Sequence, residues 1–109
     1  MNEGRITMEF TSASEALAVV NNGIQLIQNG VGLTKTRRVY TTEAVRYLQV
    51  QLRAKGCLDL SDQCISGMIR LFDTYKPDER PGFVGDMTYR FLNSSSSILE
   101  KLLHDYGVE

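Results

Sequence analysis

The sequence predicts a mainly α-helical fold: four to five short helices with a short N-terminal β-strand, in one domain covering residues 1–109. Apolar residues recur at helical spacing in most segments, and helix-start and helix-stop residues flank several of them. The composition, 42% hydrophobic and 23% charged, is ordinary for a globular protein, and a chain of 109 residues is long enough for one core.

The strand is predicted at the N-terminus. Arg5–Phe10 alternates polar and apolar residues, which is the period of a half-buried strand.

The first helix is predicted from Ser12 to the Asn29-Gly30 pair. Ser12 and Glu15 have capping-box spacing, in which the two side chains satisfy each other's free backbone N–H groups. The apolar stripe consists of Leu17, Val20, Ile24 and Ile27. An alternative stays open, because Asn21-Asn22-Gly23 also suits the turn of a hairpin within residues 18–28.

Residues 30–41 lack a helical period and are expected to form a loop or an irregular extended strand. A second helix is predicted from Thr41 or Thr42 to Gly56, with an apolar face opposite Arg46 and Arg53. Its apolar face consists of Ala44, Val45, Leu48 and Leu52.

The third helix is predicted from Ser61 to Tyr75, and residues 76–82 form a polar connection that holds both prolines. The apolar stripe of this helix is Cys64, Ile65, Met68, Ile69, Phe72 and Tyr75. A short helix over 83–91 follows. Asn93 and four serines predict a break, and a second capping box at Ser97 predicts a last helix that stops at Gly107.

The first helix has an apolar arc wider than a small bundle needs, because Val19 and Leu26 extend its stripe. Contiguous apolar surface is uncommon on monomers. The arc therefore predicts a homo-oligomer, most simply a symmetric dimer.

Catalytic and metal-binding patterns are weak. Cys57 and Cys64 are expected to be buried, reduced thiols, and with His104 they are too few for a structural zinc site. His104 lies on a polar helix face near Glu100, as expected of a solvated histidine. No phosphate-binding glycine loop or nucleophile elbow occurs, so no enzyme activity, cofactor or metal is predicted.

The chain contains no apolar run long enough to cross a bilayer and begins with no basic, apolar leader, so a cytoplasmic protein without membrane contact is expected.

Charge is distributed unevenly along the chain. Residues 31–56 carry a net charge of +5, against −2 for residues 1–30 and −4 for residues 57–109. A basic block inside an acidic chain predicts binding to an acidic protein surface, nucleic acid or a phosphate ligand. The candidate binding residues are Lys35, Arg37, Arg38, Tyr40, Thr41, Thr42, Arg46, Arg53 and Lys55.

Arg37 and Arg38 precede the predicted helix start at Thr41-Thr42. Guanidinium groups, hydroxyls and free N–H groups of the first turn can converge on one anion there, and Tyr40 can add a stacking face. The alternative is that these charges are solvated, or that they pair with the acidic half of the same chain or of a neighbouring subunit.

The order of elements in residues 35–75 resembles the ribbon-helix-helix repressors, in which a basic strand pairs across a dimer and two helices follow. Thr36–Tyr40 corresponds to the strand, 42–55 and 61–75 to the helices, and Gly56 to the turn. The resemblance implies base-reading side chains at one of two alternate sets of strand positions. These sets are Lys35, Arg37 and Val39, or Thr36 and Arg38.

Three functions are consistent with this sequence. The first is a non-enzymatic regulatory or inhibitory protein that binds a macromolecular partner with an acidic surface through residues 35–55, as a homo-oligomer. The second is a DNA-binding regulator of ribbon-helix-helix type. The third is a binder of a small phosphate-bearing ligand such as a nucleotide.

Overall fold

A computed structural model describes residues 10–57, 62–75 and 86–108. These residues form four helices, α1 (Ala13–Gln28), α2 (Lys35–Ala54), α3 (Asp62–Thr74) and α4 (Asp86–Asp105). Each helix packs against the next one in the chain, and α4 closes the arrangement by packing against α1. The mainly helical prediction is confirmed, with four helices as the observed number in the described part of the chain.

The predicted N-terminal strand is not supported. Residues 5–9 lie outside the described residues, and Phe10 has no regular secondary structure. Phe10 is instead a buried anchor, stacked on Tyr40 with ring centroids 5.5 Å apart and 5.4 Å from the ring of Tyr47.

The predicted first helix is confirmed and the alternative of a hairpin is wrong. Ser12 is the N-terminal cap of this helix. The Ser12 Oγ accepts a hydrogen bond from the Glu15 backbone N–H at 3.1 Å. The reciprocal half of the capping box is wrong, because the Glu15 carboxylate accepts from Thr11 instead, at 2.8 Å from the backbone nitrogen and 2.9 Å from the hydroxyl. These two bonds hold the pKa of Glu15 below its usual value.

Gly23 lies inside α1, where the chain approaches two other helices. A methyl group at this position would lie 3.1 Å from the Cε1 of Phe72 in α3 and 3.1 Å from the Cγ2 of Thr41 in α2. The pair Asn22-Gly23, which sequence alone allowed as a turn, therefore permits close helix packing.

The predicted glycine stops are confirmed. Gly56 has φ +89°, its N–H bonds to the carbonyl of Arg53, and the Cys57 N–H bonds to the carbonyl of Leu52. This pair of bonds satisfies free carbonyls at the end of α2, and only glycine adopts the required backbone cheaply. Gly30 and Gly107 end α1 and α4 with the same pattern.

The predicted loop or strand over residues 30–41 is wrong from Lys35 onward, because α2 begins there and not at Thr41 or Thr42. The Thr34 hydroxyl accepts from the Arg37 N–H at 3.0 Å and caps the helix. The first two turns of α2 place Arg38 and Thr41 on the inner side of the helix. An amphipathic helix normally has apolar residues there, so the sequence shows no helical apolar period in these turns. The strand that the ribbon-helix-helix resemblance needs, Thr36–Tyr40, is thus helical.

The predicted break at Asn93 is also wrong, because α4 runs unbroken through the four serines. Ser95 and Ser96 are buried, and the Ser96 hydroxyl donates to Oδ1 of Asn21 in α1 at 2.6 Å. Small side chains at these positions let α4 approach α1 closely. Packing therefore outweighs the modest preference of serine for helix ends.

The core confirms the α3 stripe, since Ile65, Met68, Phe72 and Tyr75 are buried. It does not confirm the reason given for an oligomer. Val19 is buried and Leu26 is half-buried against the chain's own core. The large apolar side chains left exposed in the described residues lie elsewhere, at Val31, Val50, Phe91 and Ile98.

Candidate binding surface on the second helix

The outward face of α2 carries cations in one row. Lys35, Arg46 and Arg53 are exposed, and at 100° per residue their positions fall within about 20° of one another around the helix. The row extends over about 27 Å of helix axis. Val50, whose side chain is 59% exposed, lies between Arg46 and Arg53. We call these four residues the basic stripe.

An open depression of about 420 Å³ lies at the start of α2. Thr34, Thr36, Arg37 and Tyr40 line it. The guanidinium carbon of Arg37 is 5.9 Å from the centroid of the Tyr40 ring, within the range of a cation–π contact. The depression therefore offers one cation and hydroxyl groups, although the Thr34 hydroxyl already caps the helix.

Tyr40 is less available than the sequence implies. Its ring stacks on Phe10 with an interplanar angle of 17°, and its side chain is half-buried. The stacking face predicted for a ligand is thus used by the chain's own N-terminal segment on at least one side.

Arg38 points into the structure. Its Nη1 donates to the carbonyl of Asp73 at 3.0 Å and its Nη2 donates to the carbonyl of Tyr75 at 3.1 Å. These carbonyls lie at the C-terminal end of α3, where backbone acceptors are free and the helix dipole favours a cation. Arg38 therefore joins α2 to α3 through backbone carbonyls, and not through the acidic side chains with which the basic run was expected to pair.

Thr41 and Thr42 also face inward. Both are buried, and their hydroxyls donate to carbonyls of their own helix, Thr41 to Arg37 at 2.8 Å and Thr42 to Val39 at 3.0 Å. The predicted anion corner is therefore not assembled. Its two threonines lie inside a helix, and its two arginines are used differently.

Lys55 follows the last residue of α2 as its C-terminal cap and is exposed, but it lies outside the basic stripe. Glu43, the acidic residue of the 31–56 block, is half-buried about 80° around the helix from Lys35. Glu43 therefore lies at the edge of the basic stripe, about 20° from Val50 around the helix and three residues before Arg46.

Groups that catalysis or metal binding would need are dispersed. No cluster of three or more His, Cys, Asp or Glu side chains occurs within residues 10–57, 62–75 and 86–108. Cys57 is buried and Cys64 half-buried, and neither forms a disulfide bond, so only one of the expected pair is fully buried. No helix in the described part of the chain is long and apolar enough to span a membrane.

His104 is exposed, as predicted for a solvated histidine. Its near carboxylate is Asp105, at 3.7 Å from Nδ1, and not Glu100. Asp105 also accepts a hydrogen bond from Nζ of Lys101 at 2.9 Å, and this bond is the main reason that the pKa of Asp105 is lowered. The group is a surface ion pair on α4.

Sequence reasoning missed Thr34 and Val50. Thr34 was a detectable cap, but the position three residues later holds Arg37 where a capping box has an acidic or amide side chain. Val50 carried no signal of its own, because a single valine on a helix is expected in the core.

The fold and the surface define a class of protein only in general terms: a small, mainly helical domain with a basic outer face on one helix. Comparisons with protein-family models, curated proteins and solved structures find no significant match.

Proposed function

We propose that this protein is a non-enzymatic regulatory or inhibitory protein, and that it binds the acidic surface of a partner protein through the basic stripe of α2, as a homo-oligomer. The observation that carries the proposal is the alignment of three exposed cations with an exposed valine on one helix face. A row of exposed cations on one helix face attracts an outside anion.

Val50 favours a protein partner over nucleic acid. Phosphate backbones are contacted by cations and hydrogen-bond donors, whereas a central apolar side chain flanked by cations suits a peptide or helix that mixes acidic and apolar residues. The DNA-binding alternative of ribbon-helix-helix type requires a strand at residues 36–40 to contact the bases, and these residues are helical.

One observation favours the small-ligand alternative, namely the depression beside Arg37. Of the four residues predicted to hold a phosphate, only Arg37 lines it. A nucleotide would therefore depend on Arg37, the Thr36 hydroxyl and whatever face of Tyr40 remains open, which is a sparse set of contacts for a phosphate group.

Fluorescence anisotropy with three labelled probes tests the proposal. The probes are a peptide of alternating Glu and Leu blocks, a DNA duplex of equal charge and a labelled nucleoside triphosphate. The proposal predicts the tightest binding to the acidic peptide, by roughly tenfold over the duplex, with an affinity that falls as salt rises. Preferred binding of the duplex or of the triphosphate would contradict it and support the corresponding alternative.

A further inference from the structure

The dipeptide Asn-Gly occurs twice in and beside α1. Asn22-Gly23 lies inside the helix, and Asn29-Gly30 lies at its C-terminal cap. The backbone nitrogen that follows an asparagine can attack the side-chain amide carbon, and glycine hinders this attack least because it has no side chain. The chain therefore carries the same reactive dipeptide in two different structural settings.

The reaction is an intramolecular deamidation whose only co-reactant is water. The glycine nitrogen loses its proton to solvent and bonds to Cγ of the asparagine. The bond from Cγ to Nδ2 then breaks, so ammonia leaves and a five-membered succinimide ring remains. Water opens this ring at either of its two carbonyl carbons and yields aspartate or isoaspartate. An amide is exchanged for a carboxylate, with no change of oxidation state.

Packing holds the Asn22-Gly23 pair in place. Closing the ring there requires rotation of the backbone between the two residues, and this breaks helical hydrogen bonds in the middle of α1. Gly23 is buried, and a methyl group at its position would lie 3.1 Å from side-chain atoms of both Phe72 and Thr41. The backbone therefore has little room to move, and reaction at Asn22 requires a packed part of the structure to open.

The Asn29-Gly30 pair lies at the end of α1, where both residues are exposed. No atom of the described residues comes within 4 Å of a methyl group placed at Gly30. The turn is held by backbone hydrogen bonds from Gly30 to the Ile27 carbonyl at 3.0 Å and from Val31 to the Leu26 carbonyl at 2.9 Å. Helix ends open at little cost in free energy. Opening this turn therefore frees the Gly30 nitrogen without disturbing the core.

We propose that Asn29 is a site of spontaneous deamidation in the folded protein, and that the fold protects Asn22. The product places a negative charge at the C-terminal end of α1, where the helix dipole disfavours an anion. In isoaspartate the main chain also runs through the former side chain, which adds a carbon to the turn ahead of Thr34, the cap of α2. Deamidation at Asn29 therefore weakens the connection between α1 and α2.

Proteolysis and tandem mass spectrometry, after incubation of the full chain in mildly alkaline buffer, measure the reaction at each asparagine. The product at Asn29 is expected to form at least about tenfold faster than at Asn22 in the folded chain. The same chain unfolded in urea is the matched control, because both pairs are then released from the helix and should react within about threefold of each other.

Equal rates at the two pairs in the folded chain would overturn the proposal, and so would faster reaction at Asn22. Absence of product at Asn29 in the folded chain, under conditions that modify the unfolded chain, would overturn it as well. None of these results bears on the proposed binding by α2, which the peptide titration measures separately.

The effect of the modification is tested with Asn29→Asp, which reproduces one of the two products. Its melting temperature is expected to be lower than that of the natural chain by about 1–4 °C. Asn29→Ser removes the reactive amide without adding a charge and is the control. Equal melting temperatures for the Asp and Ser variants would contradict the weakening of the end of α1.

Discussion

Arg38 shows how a single side chain can look like a binding residue in sequence and serve the fold in structure. Its guanidinium donates to two carbonyls at the end of α3, and its Nε is buried without a hydrogen-bond partner in the structure. The basic run at residues 35–38 is therefore not one functional unit. One of its cations joins two helices and the others face outward.

Replacing Arg38 with Met removes both bonds and leaves the carbonyls of Asp73 and Tyr75 without this donor. We expect the free energy of unfolding to fall by about 1–3 kcal/mol, as for loss of charged hydrogen bonds to partly buried acceptors. Arg46→Met, on the exposed face, is the matched control and should change stability by less than about 0.5 kcal/mol. Equal effects in urea titrations would contradict the structural role of Arg38.

Glu15 predicts a dependence of stability on pH. Its folded pKa is lowered by the hydrogen bonds from Thr11, so its contribution is present above the pKa of the unfolded chain and is lost as pH falls through the folded pKa. Glu15→Gln should therefore lower the melting temperature at neutral pH. The difference from the natural chain should shrink as pH falls from neutral through the lowered pKa of the folded chain into the acidic range. A gap of constant size at neutral and at acidic pH would exclude this role.

At the scale of the helices, the side chains that pack against Gly23 in α1 and Gly67 in α3 decide whether a larger residue is tolerated at each position. A methyl at Gly23 would meet Thr41 and Phe72, which are both fully buried. A methyl at Gly67 would come 2.9 Å from Cζ of Phe91, but that ring is 41% exposed and can rotate away. The two glycines therefore differ in what surrounds them, although both lie inside helices.

This difference predicts opposite effects for two alanine substitutions. Alanine favours a helix over glycine by about 1 kcal/mol, while overpacking a rigid core costs about 1–3 kcal/mol. Gly23→Ala should therefore destabilise the protein by about 1 kcal/mol, and Gly67→Ala should be neutral or stabilising by up to about 1 kcal/mol. Thermal melts of the pair measure this, and stabilisation by Gly23→Ala would show that the α1 packing is looser than described.

Helix ends were predictable where local chemistry decides them. Ser12 acts through its own hydroxyl and the three glycine stops act through their own backbone geometry, so their sequence signals are sufficient. The start of α2 and the continuity of α4 depend on distant partners. Arg38 is half-buried against α3, and the Ser96 hydroxyl donates to Asn21 of α1, so neither turn shows an apolar period in the sequence.

On the scale of the whole molecule, the basic block of the sequence places exposed cations on the outer face of α2. The basic block of residues 31–56 was predictable from composition, and the helical period places Lys35, Arg46 and Arg53 together once α2 is known to begin at Lys35. The predicted anion corner assumed that the helix begins at Thr41 or Thr42. The helix begins earlier, at Lys35, so the corner does not lie at a helix start. The proposed binding surface is therefore the outer face of α2 and not the corner.

The basic stripe carries the central claim, and a comparison of two variants of equal net charge tests it most directly. Lys35→Gln with Arg46→Gln removes two positive charges from the stripe, and Ser66→Glu with Ser97→Glu adds two negative charges elsewhere. In the acidic-peptide titration at low salt, the first variant should bind roughly three- to tenfold more weakly than the second. Equal affinities would show that only net charge matters, and that the outer face of α2 is a solvated surface.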